Sequence, residues 1–216
     1  MIRGVCFDMD GVLLDTELLG GDVMLEAAAL QGCAITDGQW KALLGINMAS
    51  TKERLRAFFP GKIDPDRFIQ DWCELMLGHI RREGLPFKPY AGEILRHLRQ
   101  RGIRLALCTS NAAEVVAEYL HIAGWEDAFD QVITGEMIES GKPAPDIYLR
   151  GAELLGLPPA SCAGVEDSYN GVRAVRASGM YSVMIPDILP WCEEIAPFTD
   201  TVLSSLRELE PLLERL

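Results

Sequence analysis

Val5-Cys6-Phe7-Asp8-Met9-Asp10-Gly11-Val12-Leu13-Leu14-Asp15-Thr16-Glu17 is the stretch on which the reading of the whole chain turns. The apolar run from Ile2 to Phe7 predicts a buried strand that ends in two carboxylates one residue apart, followed by a glycine. Strand side chains alternate between faces. Asp8 and Asp10 are therefore expected to point the same way, at the carboxyl edge of a sheet, where ligands of open α/β folds collect. Gly11 allows the sharp turn that must follow. Two carboxylates this close repel unless a cation or a shared proton intervenes, and hard oxygen ligands suit magnesium. A surface Asp-x-Asp-Gly turn has the same spacing, so the rest of the chain must decide between site and turn.

The chain has 216 residues, enough for one good core and a small accessory domain. Its hydrophobic share of 49% and charged share of 24% are ordinary for a globular protein. No apolar stretch approaches the length of a bilayer span, and the strand pattern begins at once, without a basic segment and apolar signal core. A cytoplasmic, monomeric protein with no membrane contact is expected. The net charge of −12 argues against a nucleic-acid partner, because phosphate backbones demand clustered lysine and arginine. An anionic substrate would need a local positive site. The six cysteines, at 6, 33, 73, 108, 162 and 192, form no Cys-x-x-Cys pair and read as reduced core residues rather than a zinc site.

After the opening motif, residues 18 to 31 predict a helix stopped by Gly32. Thr36-Asp37-Gly38-Gln39 and Ser50-Thr51-Lys52-Glu53 have capping-box spacing, and Asp64-Pro65 opens a helix running to about Glu83. Residues 16 to 85 are thus a helical block inserted after the first strand, a separate cap. From residue 86 the pattern alternates: strands over 103–108, 129–134, 161–165 and 181–185, helices over 91–101, 111–123, 145–155 and 168–178, and a last helix from Ser205. Such alternation predicts a parallel sheet covered on both faces, a Rossmann-like α/β core over residues 1–15 and 86–216 with a helical cap over 16–85.

A parallel sheet collects its carboxyl ends on one edge, and four of them here carry polar groups. The first supplies Asp8 and Asp10. The second gives Thr109-Ser110-Asn111 beside a helix N-terminus, an anion site by its chemistry, although Asn111 with Glu114 three residues on reads as a local helix cap. After the third comes Gly141-Lys142-Pro143-Ala144-Pro145-Asp146, in which two prolines stiffen the frame around Lys142. The fourth ends in Glu166-Asp167-Ser168, where Ser168 can cap the next helix while the acids complete an oxygen-rich metal site. His79, His97 and His121 have no partner spacing and receive no role.

With these motifs in order, the chain resembles the haloacid dehalogenase superfamily, in particular its β-phosphoglucomutase-like phosphatase branch with a small helical cap. The resemblance spans nearly the whole chain and is weakest between about 32 and 85. It implies a magnesium-dependent phosphatase that hydrolyses a small phosphorylated metabolite, such as a sugar phosphate, through an aspartyl phosphate. Asp8 would be the nucleophile and Asp10 the general acid and base. Magnesium would be held by the Asp8 carboxylate, the Asp10 backbone carbonyl and Asp167, with Glu166 in support. Thr109 and Lys142 would hold phosphoryl oxygens, with the Met9 amide, Thr16 and Ser110 completing the phosphate and substrate set.

A haloacid dehalogenase needs no second aspartate to protonate a leaving alkoxide, and phosphonoacetaldehyde hydrolases rely on a cap lysine. The alternative is a β-phosphoglucomutase-like sugar phosphomutase. Those enzymes carry a histidine shortly after the Asp-Thr pair and an arginine in the cap loop that grips a second phosphate. Here those places hold Leu18-Leu19-Gly20-Gly21 and Gly45-Ile46-Asn47-Met48-Ala49-Ser50, so hydrolysis is favoured. Met24, Trp72 and the loop from Leu44 to Ser50 are the candidate specificity contacts, although Trp72 and Met76 have the spacing of core-facing residues.

Overall fold

The structure, a computed structural model, describes residues 1–216. Strand β1 (Gly4–Phe7) is followed by four helices, α1 (Glu17–Leu30), α2 (Asp37–Leu43), α3 (Met48–Phe58) and α4 (Pro65–Glu83). The chain then alternates through α5 (Ala91–Gln100), β2 (Arg104–Cys108), α6 (Ala113–Ala123), β3 (Gln131–Ile133), α7 (Asp146–Leu155), β4 (Cys162–Glu166), α8 (Tyr169–Ser178) and β5 (Tyr181–Met184). It closes with β6 (Thr201–Val202) and α9 (Leu209–Leu213). The six strands form one parallel sheet in the order β3-β2-β1-β4-β5-β6. Sequence periodicity predicts five of them. The sixth is two residues long, too short to show any alternation.

β1 is central, and its register positions the functional edge. Phe7 pairs with Leu107 of β2 and with Val165 of β4, so the residues that follow in all three strands emerge side by side. The strand order reverses between β1 and β4, the switch point where a crevice opens at the carboxyl ends. Alternation along β1 feeds two cores. Val5 and Phe7 pack with Leu105, Leu107, Ile94, Leu98 and Leu120, whereas Cys6 joins Ala106, Cys108, Tyr148 and Val175 beneath α7 and α8. The second face is built from small residues because its helices lie close. A Cβ at Gly151 would stand 2.9 Å from Cys108 Sγ, and one at Gly164 would stand 2.6 Å from both Val175 methyls. All six cysteines are free thiols, and those in β1, β2 and β4 are buried fillers of this face.

α1 to α4 carry their own apolar cluster, with Met24, Leu43, Leu55 and Phe68 at its centre. Thr36 caps α2 through the expected capping box, and Asp64 accepts from the amides of Asp66 and Arg67 ahead of Pro65. The expected start of α3 is wrong by a turn. The helix begins at Met48, Asn47 Oδ1 accepts from the Ser50 amide at 2.9 Å, and Ser50 is the third helical residue rather than the cap. Asn47 is extended, with φ −78° and ψ 168°, as capping requires, and it satisfies the orphan amide first. The last helix also differs: a 3-10 turn (Leu206–Glu208) precedes α9, which starts only at Leu209.

The chain enters and leaves the helical block through two paired linkers. The Asp15 amide donates to the Pro86 carbonyl and the Lys88 amide to the Leu13 carbonyl, both at 3.0 Å. Lys88 Nζ bridges Asp15 at 2.8 Å and Asp187 at 2.6 Å, tying both linkers to the end of β5. The contact between Gly164 and Val175 is a sensitive test of the sheet packing. Gly164→Ala is expected to destabilise the protein by about 1–3 kcal/mol through overpacking, read from denaturant unfolding. Adding Val175→Ala should restore most of the loss; additive losses in the double variant would refute this packing.

Candidate active site

Four strand ends converge as the sheet topology requires. Lys142 Nζ lies 2.6 Å from Asp8 Oδ1, 2.6 Å from Glu166 Oε1 and 3.2 Å from the Cys108 carbonyl oxygen, and its side chain is only 1% exposed. Glu166 is fully buried and its two oxygens are both engaged. Tyr148 Oη donates to Oε1 at 2.7 Å, while Oε2 accepts from the amides of Asp167 and Ser168 and from the Ser168 hydroxyl. The Ser168 hydroxyl also accepts from the Gly171 amide, capping α8 as expected. There is no room to spare: a Cβ at Gly171 would run into the Glu166 carboxylate.

One carboxylate oxygen from each of Asp8, Glu166 and Asp167 lies within 4.8 Å of the others. The Asp167 carboxylate is buried yet receives no hydrogen bond or ion pair from the chain. A buried anion without a donor is costly, and an all-oxygen donor set of this kind fits a hard divalent cation. Gly11, at φ 76°, lies directly against that carboxylate, where any side chain would collide with it. Backbone conformation and crowding both demand glycine there.

Asp10 faces elsewhere. Its Oδ1 accepts from the Thr16 hydroxyl at 2.5 Å and its Oδ2 from Asn111 Nδ2 at 2.8 Å, so its side chain is outside the carboxylate cluster. Asn111, read from sequence as a helix cap, caps nothing. α6 has Ala112 at its N-cap with no side-chain cap bond, and the amide of Asn111 instead fixes Asp10 across a sequence separation that no local pattern could reveal. Thr109 is buried at the end of β2 and accepts from the Asn111 amide at 3.2 Å. Ser110 lines the chamber above the site, whereas the Met9 side chain points into the core, leaving only its backbone for the edge. Two more groups escaped the sequence reading. Glu17 lines the chamber beside the acids, and its signal was its place at the end of the opening motif. Tyr148 carried no signal, reading simply as an aromatic on a buried helix face.

Electrostatics follow from burial. Desolvation pushes the Asp8 carboxyl up to about 7, with Glu166 and Asp10 adding to the push and Lys142 opposing it. Burial, then Glu17, Glu166 and Asp8, drives Asp167 well above the carboxylate range. Burial also raises Asp10, against the bonds from Thr16 and Asn111 that favour its charged form. Lys142 is raised by Asp8 and Glu166, although desolvation, the largest single influence, acts the other way. The cluster holds more negative charge than its one ammonium offsets.

The helical block closes over this edge. Asn170 Nδ2 donates to the Leu44 carbonyl at 3.3 Å, Gly45 packs against Ser168, and Gly141 packs against Asn47. Between them lies a chamber of about 100 Å³ reaching down to Asp8 and Asp10.

The family model for haloacid dehalogenase-like hydrolases matches residues 2–179. The chain belongs to that family. Hexitol phosphatase A of Escherichia coli K12 is 33% identical over 209 residues, covering 96% of this chain and 93% of that protein. A solved structure of a CbbY variant from Rhodobacter sphaeroides, in complex with xylulose 1,5-bisphosphate, matches with a TM-score of 0.85 at 27% identity, over 97% of this chain and 96% of that one. β-Phosphoglucomutase from Clostridium difficile has the same fold, with a TM-score of 0.85 at 24% identity over 99% of this chain and 96% of that one. The expected α/β core with an inserted helical cap, and the expected hydrolase family, are both borne out. No helix of this haloacid dehalogenase-like hydrolase is long and apolar enough to cross a membrane.

The raised Asp8 carboxyl has a thermodynamic signature. In chelator-treated protein its contribution to stability is fully present below the ordinary value of 3.8 and is lost as the pH rises through about 7. A divalent cation bound by the ionised cluster offsets that loss. The unfolding midpoint of the metal-free protein is expected to fall across this window. Magnesium should raise the midpoint more near pH ~8 than near pH ~5; equal shifts at both would contradict the cluster's assigned role.

Proposed function

We propose that this haloacid dehalogenase-like hydrolase is a magnesium-dependent phosphatase that hydrolyses a small phosphorylated metabolite, of sugar-phosphate type, through an aspartyl phosphate on Asp8. The observation that carries the reading is the pairing of two aspartates with opposed environments. Asp8 meets a buried ammonium 2.6 Å away, whereas Asp10 is held outside the cluster by Thr16 and Asn111. Environments that differ in this way separate a nucleophile from an acid.

In the first half-reaction an Asp8 carboxylate oxygen attacks phosphorus, the bond from phosphorus to the alcohol oxygen breaks, and Asp10 gives its proton to that oxygen. In the second, water attacks the phosphorus of the aspartyl phosphate, Asp10 takes the water's proton, and the bond to Asp8 breaks to release phosphate. Burial pushes the Asp10 carboxyl upward, which favours the protonated form that an acid needs. Lys142, Thr109 and the amides after Asp8 would receive the phosphoryl oxygens, with Ser110 and Thr16 framing the entrance and the acid. Asp8, Asp167 and the Asp10 carbonyl would hold magnesium, with Glu166 supporting Lys142 and the loop of Asp167. When bound, the ion supplies positive charge against the phosphoryl oxygens.

The helices over 16–85 act as the cap, and the linkers paired at Asp15 and Pro86 mark its boundary with the core. The bonds between the Leu44–Asn47 loop and the core describe the closed arrangement, in which bulk water is kept from the reacting groups. Support for the substrate type comes from the hexitol phosphatase and the bisphosphate-bound CbbY variant among the relatives.

Magnesium-dependent phosphate release from metabolite phosphates is expected in the native chain and should fall by at least about a thousandfold in Asp8→Asn. Acid quenching of the native chain during turnover should leave a mass increase of one phosphoryl group on the peptide carrying Asp8, and none in Asp8→Asn. Undiminished turnover in Asp8→Asn would overturn the assignment of the nucleophile.

A further inference from the structure

The chamber above Asp8 is unlike a site for a polyanion. Among its lining residues Lys142 is the only cation, and its ammonium is already committed to Asp8 and Glu166. No arginine, histidine or second lysine faces the space where the leaving alcohol must lie. Its walls are Met24, Trp40, Ile46, Trp72, Met76 and Tyr119.

Two glycines in the interior of α1 explain how this wall is made. Glycine is a poor helix former, yet Gly20 and Gly21 stand one turn after Thr16. A Cβ at Gly21 would come within 2.6 Å of the Trp40 ring, and Gly20 offers its carbonyl to Trp72 Nε1 at 3.1 Å. The missing side chain at Gly21 lets the Trp40 indole settle against the helix, whereas Gly20 meets Trp72 through its backbone carbonyl. The bond to Gly20 also uses the only polar atom of the Trp72 side chain, so that its ring presents apolar surface alone.

Asp10 is occupied by Thr16 and Asn111, which leaves Glu17 and Ser110 near the acids, together with the Tyr119 hydroxyl and Trp40 Nε1, to meet a hydroxyl of the substrate. A hydroxyl turned to Trp72, whose Nε1 is committed to Gly20, would lose water and gain no partner there.

We infer that the substrate is the monophosphate of an uncharged alcohol with a hydroxyl-poor face, a deoxygenated sugar or short diol, held with that face against Trp72. The inference rests on the phosphatase reading above and narrows its substrate class. A second phosphate would enter an apolar pocket with no cation to receive it.

The test measures kcat/KM for magnesium-dependent phosphate release from matched pairs: propane-1,2-diol 1-phosphate against glycerol 1-phosphate, and 2-deoxyribose 5-phosphate against ribose 5-phosphate, with a pentose 1,5-bisphosphate alongside. The deoxygenated member of each pair is expected to be favoured by about tenfold or more, and the bisphosphate to be slower than the monophosphates by at least about a hundredfold. Trp72→Ala should bring the pair ratios towards one, and Trp72→Phe should keep most of the preference; thermal unfolding checks that both variants fold, and the native ratios decide alone if one does not. Phosphate release without the preference, or with the bisphosphate as good as the monophosphates, overturns this inference and leaves the phosphatase reading standing. No release from any ester overturns both.

Discussion

The Lys142 ammonium lies between the Asp8 and Glu166 carboxylates, 2.6 Å from each and almost without solvent. Every other feature of the edge is arranged around that contact. Removing one partner from a buried pair typically costs about 3–5 kcal/mol, because the other charge is left without compensation. The chain therefore surrounds the pair with donors. Tyr148 reaches Glu166 from α7, two backbone amides and the Ser168 hydroxyl reach it from the start of α8, and the Cys108 carbonyl takes the ammonium's remaining direction. Glu166 thus holds Lys142 and the loop of Asp167 in place.

Such a cluster is tolerable only where the backbone can bring it together without strain elsewhere. The parallel sheet does this through register, since Phe7, Leu107 and Val165 are laterally paired and the residues just beyond them must share an edge. The small-residue face beneath α7 and α8 lets those helices approach closely enough for Tyr148 and Ser168 to reach the pair. Packing on one side of the sheet therefore has a direct consequence for the charge state at its end.

The cap adds what the core lacks. It supplies no cation. It supplies indole and thioether surface, a carboxyl at Glu17, and closure through the contacts of Leu44, Gly45 and Asn47 with the core loops. Core and cap differ in physical type: the core gathers charged groups at the sheet edge, and the cap faces them with a largely uncharged surface.

Much of this was legible in the chain. Strand and helix alternation, the Asp8 and Asp10 pair, the stiffened turn around Lys142 and the acids after β4 are local patterns, because each reflects side-chain periodicity or turn chemistry within a few residues. The sequence by itself therefore determined the α/β core, the helical insertion and the list of groups that share the sheet edge. It could not show β6, whose two residues carry no period, nor the true start of α3, where Asn47 takes the cap one turn ahead of Ser50. Nor could it show that Asn111 holds Asp10, that Tyr148 holds Glu166, or that Gly21 makes way for Trp40. Those partners lie between 18 and 101 residues apart, so tertiary packing alone decided them. Hydrogen bonds between distant residues leave no mark on local periodicity, and the interior shape of a chamber exists only after both of its walls have folded.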